Sequence, residues 1–147
     1  MIREAQLSDH PTILALWSEV ANQLNPTLVT NDWQRFAHWL QQSLLPASEV
    51  YVYDVRSIRG FVVLKSDKLS ALAVSPMMQK TGIGRALLYY CISRHPDLEV
   101  QLLSDAGAAT GFFKHLGYHP VKEVLDSESG VNQLLMVSGK SRRYFSW

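Results

Sequence analysis

The stretch "VSPMMQKTGIGRALLYY", residues 74–90, decides how the rest of the chain is read. Gly82 and Gly84 stand one residue apart between a β-branched apolar run and a helix-patterned one, with Gln79, Lys80 and Thr81 just ahead. A strand that runs through glycines into a helix turns several backbone N–H groups toward one point, at the helix end that attracts negative charge. Glycines without β-carbons let ligand oxygens approach those amides, and Gln79, Lys80, Thr81 and Arg85 offer donors or charge at the rim. The stretch reads as a pyrophosphate cradle, although on glycine spacing alone a plain turn is as good a reading. It is neither a P-loop, which needs G-x-x-x-x-G-K-[ST], nor a dinucleotide fingerprint, which needs a third small residue where Leu87 stands.

Upstream, Met1 to Gln6 reads as a short strand. Next comes an amphipathic helix with Ser8 as N-cap, Pro11 in the first turn and Ile13, Leu16, Trp17, Val20 and Leu24 on one face. After "NPTLVT", Thr30, Asn31 and Asp32 offer caps to a second helix whose apolar face is Trp33, Phe36, Ala37, Leu40 and Leu44, closed by Pro46. "EVYVYDV", "GFVVLKS" and "LSALAV" then read as an antiparallel meander with Gly60 in a turn. The quoted stretch supplies the third helix, with Ile83, Ala86, Leu87, Tyr90 and Cys91 on one face and Pro96 at its end. "LEVQLLS" is a strand, "DAGAATGFFKHLG" a helix capped by Asp105 and stopped by Gly117, and "YHPVKEVL" and "VNQLLMVS" are strands around "DSESG". The pattern predicts an α/β (α+β) single domain, a mixed sheet with helices on both faces. It spans residues 1–139, followed by a basic and aromatic tail over 140–147.

The chain has 147 residues, one domain's length, and its formal charge of +1 gives no broad basic field for nucleic acid. Its single cysteine, Cys91, excludes an intrachain disulfide and a cysteine-rich zinc site, and fits a reducing compartment. Arg3, Glu4 and Asp9 stand where a signal peptide would be apolar, and no run approaches a membrane span, so the reading is cytoplasmic.

"VSPMMQKTGIGRALL" resembles the acetyl-CoA motif of the GNAT N-acetyltransferase superfamily, Q/R-x-x-G-x-G/A, with Gln79, Gly82 and Gly84 in its three fixed positions. "AATGFFKHLGY" resembles the family's second signature, A-x-x-F-Y-x-x-L-G-F, and the order of elements is also the GNAT order. "MIREAQ", "ILALW" and "RHP" are similar to stretches of small bacterial GNATs of the YiaC type, which are linked to acetylation of protein lysines. The resemblance implies a GNAT fold with a mostly antiparallel sheet of about seven strands. It also implies transfer of an acetyl group from acetyl-CoA to a primary amine, a small molecule's or a protein lysine's or N-terminus's, by a monomer or homodimer, with no metal. It assigns Leu72, Ala73 and Val74 to the pantetheine arm, the run Gln79, Lys80, Thr81, Gly82, Ile83, Gly84 and Arg85 to the pyrophosphate, and Phe113 to the cofactor's reactive end.

Two family features are missing. The tyrosine that in many GNATs protonates the departing thiolate is matched here by Phe113, and the asparagine seven residues earlier by Ala106. General-acid assistance is worth about 10² to 10⁴ in rate, so its loss slows turnover without forbidding it. Two readings follow: an acetyltransferase that relies on proximity and backbone amides, or a silent acyl-CoA-binding module. The first predicts that Phe113→Tyr raises thiol release. Deprotonating a lysine-like amine of pKa ~10.4 at pH 7 costs roughly 4.6 kcal/mol, so a base or a dry pocket matters. Glu49, Asp54, Glu123 and His119 are candidates for the base or its water relay, but each taken singly reads better as a solvated strand-edge group, so the base stays unassigned. Cys91 lies on an apolar helix face, so it reads as core, and Gly117 between His115 and His119 argues against zinc. Trp17, Trp33, Phe36 and Trp39 read mostly as core. The acceptor-site loops implied by the resemblance are "NQLNPTLVT" and "DSESG".

Overall fold

Three β-branched and aromatic runs joined by short polar turns can only fold back on one another as hairpins. In the computed structural model, which describes residues 1–24, 31–103, 107–125, 127, 130 and 132–139, these runs are β2 (Glu49–Asp54), β3 (Ile58–Lys65) and β4 (Lys68–Val74). β1 (Ile2–Glu4), β5 (Glu99–Leu103), β6 (Tyr118–Leu125) and β7 (Asn132–Ser138) join them. Among the described residues the result is a seven-stranded sheet in the order β1-β2-β3-β4-β5-β7-β6. Every neighbouring pair is antiparallel except β4 and β5.

Helices cover both faces, because alternate residues of the central strands point to opposite sides. Phe61 and Val63 of β3 join Ile13, Leu16 and Trp17 of α1 (His10–Leu24) and Phe36 of α2 (Asn31–Trp39). Val62 and Leu64 join Ile83, Leu87, Leu88 and Cys91 of α4 (Ile83–Arg94) and Phe113 of α5 (Gly107–His115). Between these, α2 continues through a π-helical stretch, Leu40–Leu44, into α3 (Leu45–Ala47), where Pro46 has no N–H to extend the ladder and the helix stops one residue later. Trp17, Phe36 and Trp39 stack in series, with ring centroids 5.0 and 5.4 Å apart, as core. Gly117, at φ +94°, ends α5 as expected.

Two local readings change. Gly60 is not in a turn: it pairs with Tyr53 and Val74 inside β3, and the turn is taken by residues 55–57, with Arg56 at φ +65°. A β-carbon at Gly60 would lie 3.1 Å from the Ala73 carbonyl oxygen and 3.1 Å from Ile83 Cγ2, so the glycine lets α4 lie down on the sheet. Ser8 does not cap α1 directly. Leu7–Asp9 forms a 3₁₀ turn, and the Asp9 carboxylate accepts from the Gln6 N–H at 2.8 Å. A charged carboxylate outcompetes a hydroxyl there because Arg3 also grips it, at 2.8 Å, while reaching Asp54 at 3.0 Å. The Arg3 contact, then the Gln6 amide, hold the Asp9 carboxyl below its usual range. Thr30, Asp105 and Ala106, residues 25–30, most of "DSESG" and the tail lie outside the described residues.

Candidate active site

Among the described residues β4 and β5 run parallel and pair only through Lys68↔Glu99 and Leu69↔Val100. Beyond these two positions β4 continues to Val74 and β5 to Leu103 without further partners in each other, leaving a wedge-shaped opening in the sheet. β5 is held on its far side by β7, with Gln101 donating to the side chain of Gln133. Ala109 of α5 packs against both core clusters, a position open to a residue at a gap between the two faces. The Ser75 N–H donates to the Arg59 carbonyl at 2.8 Å, toward β3. Strand alternation then turns the N–H groups of Leu72 and Val74 the other way, into the opening.

The cradle lies where β4 ends. After a 3₁₀ turn, Pro76–Met78, Lys80 and Gly82 take left-handed conformations at φ +65° and +91°, and α4 begins at Ile83. Nothing lies within 4 Å of a β-carbon added at Gly82, so glycine is favoured there by conformation rather than by space. Gly84 is the opposite case: a β-carbon would lie 3.3 Å from Phe112 Cζ and 3.6 Å from Val74 Cγ2. Gly82 caps the helix, and its carbonyl accepts the Ala86 N–H at 3.0 Å, leaving the preceding N–H groups of the first turn without helical partners. Lys80, Thr81 and Arg85 are exposed and Ile83 is buried. Phosphate suits these amides, and a long thin thioester arm suits the edge of β4 at Leu72, Ala73 and Val74. Acetyl-CoA has both parts.

The acid and base candidates are scattered. Phe113 is 1% exposed, its ring 5.1 Å from Phe112 and 5.9 Å from Tyr118, so the aromatic that touches the cradle is Phe112, one residue earlier. The Tyr118 hydroxyl donates to the Leu98 carbonyl at 3.2 Å, and burial pushes its phenol up to about 12. Glu49 is level with the closed end of the wedge, where it accepts from the Tyr51 hydroxyl and faces His95 Nε2 at 3.0 Å. The Tyr51 contact, then His95, hold its carboxyl below the usual range. Asp54 is paired with Arg3 beside β1, at the other edge of the sheet. His119 and Glu123 are exposed on the edge strand β6. Glu123 lies opposite Leu134, itself opposite Leu102, so it is level with the opening but separated from it by two strands, β7 and β5. Cys91 is fully buried, and burial pushes its thiol up to about 12. Sequence reasoning found the strand–glycine–helix turn but not the wedge, which depends on where pairing stops, and not Phe112, whose only signal was its place in the aromatic pair.

A family model described as "Acetyltransferase (GNAT) domain" matches residues 20–138. The chain is 32% identical over 123 residues to the peptidyl-lysine N-acetyltransferase YiaC of Escherichia coli, covering 82% of this chain and 84% of that one. The apo solution structure of Escherichia coli YjaB superposes with a TM-score of 0.78 at 21% identity, over 95% of this chain and 97% of the other. The structure of yncA from Salmonella typhimurium with its cofactor acetyl-CoA superposes with a TM-score of 0.60 at 16% identity, over 93% and 91%. With the motif, the wedge and the element order in agreement, the chain belongs to the GNAT family of acetyl-CoA-dependent N-acetyltransferases.

Proposed function

We propose that this enzyme acetylates the ε-amines of protein lysines at the wedge between β4 and β5. The observation that carries the reading is the continuity of two anchors: N–H groups of Leu72 and Val74 along the open edge of β4, and the first turn of α4 directly beyond. The loop that runs from Gln79 to Arg85 would hold the pyrophosphate through its backbone amides, and Leu72, Ala73 and Val74 would hold the arm. A lysine acceptor is supported by YiaC and by YjaB, each a peptidyl-lysine N-acetyltransferase; YjaB is 24% identical over 119 residues.

Acetyl-CoA supplies an activated acyl group whose thiol, of pKa ~8.5, leaves comparatively easily. The chain's part is to orient it and exclude water. Direct transfer balances without a protein acid: the neutral amine's lone pair forms the N–C bond, the C–S bond breaks toward sulfur, and the proton shed by nitrogen ends on the thiolate. Phe113, which has no proton to give, is compatible with that route.

The same reading makes the protein a cytoplasmic bacterial enzyme, a monomer or homodimer whose catalytic domain covers residues 1–139, with 140–147 as a tail. Among the described residues no helix is long and apolar enough to cross a membrane. The test is acceptor-dependent thiol release from acetyl-CoA over lysine peptides, free N-terminal peptides, polyamines and aminoglycosides. Turnover led by lysine peptides is expected; turnover led by polyamines or aminoglycosides would replace the acceptor.

A further inference from the structure

Phosphate is attracted to amide N–H groups and repelled by carbonyl oxygens, so a backbone cradle works only if its carbonyls are turned away or already occupied. Around this loop four of them are occupied. The Val74 carbonyl accepts from Gln79 Nε2 at 3.1 Å, the Ser75 carbonyl from the Met78 N–H at 2.8 Å, and the Met78 carbonyl from the Thr81 hydroxyl. Next comes the Gly82 carbonyl, which takes the first helical bond from Ala86. The left-handed Gly82 followed by the helical Ile83 is the alternation that aims successive N–H groups at a common point.

Resting on the proposed location of the pyrophosphate, we infer that Gln79 is a positioning residue of the cradle rather than a phosphate ligand. Its side-chain amide ties the loop back to the last residue of β4. It also covers the Val74 carbonyl, the nearest to the loop of those that strand alternation turns toward the opening, so that this acceptor does not face the anion. Thr81 does the same for the Met78 carbonyl one turn on. The residue type matters because a side chain of this length with an N–H can reach across five positions, and a carboxylate of the same shape would place two acceptors face to face.

The test uses the full chain with and without acetyl-CoA. Gln79→Met keeps the length and removes the donor. Amide exchange over residues 75–84 should quicken in the ligand-free protein. KM for acetyl-CoA should rise about three- to tenfold, the value of one hydrogen bond, with kcat within about twofold. S-acetylpantetheine, which lacks the pyrophosphate, should be used as well as by wild type. Gln79→Arg, which restores a donor, should bring exchange back toward wild type. A raised KM with unchanged ligand-free exchange would mean that Gln79 touches phosphate itself, and an equal loss with both donors would mean damage beyond the cradle; either overturns the inference. Should Gln79→Met fail to fold, Thr81→Val is read by the same assays and the same outcomes. If wild type uses S-acetylpantetheine as efficiently as acetyl-CoA, the cradle reading itself falls, an outcome separate from any variant.

Discussion

The ring of Phe112 closes on Gly84 so tightly that a β-carbon at Gly84 would sit 3.3 Å from its Cζ. One methyl group asks the half-buried ring to give by a few tenths of an ångström, and alanine's helix preference offsets part of that strain. Gly84→Ala should therefore stay within about 1 kcal/mol of wild type. Gly84→Val, which pushes on both Phe112 and Val74, should lose about 1–3 kcal/mol and raise KM for acetyl-CoA. Chemical denaturation with parallel kinetics checks both, and a valine variant as stable as wild type would contradict the packing.

Gly60 lets α4 approach the sheet, and its neighbours cannot easily yield, since one is the backbone oxygen of Ala73. Gly60→Ala should cost about 1–3 kcal/mol by overpacking, with Ile83 and Leu87 displaced together. Urea unfolding measures it; an unchanged midpoint would show that the helix has room.

The resemblance made Phe113→Tyr an expected gain in thiol release, whereas the ring's burial against Phe112 and Tyr118 points elsewhere. A new hydroxyl in that cluster without a partner costs about 1–3 kcal/mol. The expected outcome is a lower melting temperature and unchanged thiol release. Faster release at unchanged stability would place position 113 at the sulfur.

Cys91 should be silent toward thiol reagents in the native protein at pH 8 and react on unfolding, because the thiolate is the nucleophile and burial pushes this thiol up from 9.0 to about 12. Above pH 9 the unfolded chain releases a proton that the folded one keeps. Stability is therefore full below about pH 9 and falls toward pH 12, with a slope approaching about 1.4 kcal/mol per unit. Tyr118 adds to the fall from pH 10. Cys91→Ala should move the onset upward in pH-dependent denaturation; an unmoved onset would give the effect to other groups.

Local chemistry was readable from the sequence and long-range pairing was not. The turn into α4 was legible because Gly82 adopts a left-handed conformation that the residue type announces. The meander was legible because its turns are short. Gly60 was misread, since a glycine required by a helix packed above it looks no different in sequence from one required by a turn. The wedge was invisible: where β5 stops pairing with β4 is a long-range relation between strands, and β5 finds its other partner in β7, thirty or more residues further along the chain. Gln79 was taken as a rim donor because spacing gives no direction to a side chain, and its bond to Val74 appears only once the loop is folded.

The early parting of β4 and β5 makes the sheet two panels, four strands and three, stitched by a seam two residue pairs long. On the proposed placement, the arm of acetyl-CoA along the open edge would act as a removable eighth strand, giving backbone donors on the Leu72–Val74 side the partner that the next strand withholds. The folded state is then linked to the supply of its own substrate: at a concentration one hundred times Kd, binding adds about 2.7 kcal/mol to stability. Depletion of acetyl-CoA would thus slow the reaction and also loosen the seam, so that the substrate serves as a part of the sheet as well as a reactant.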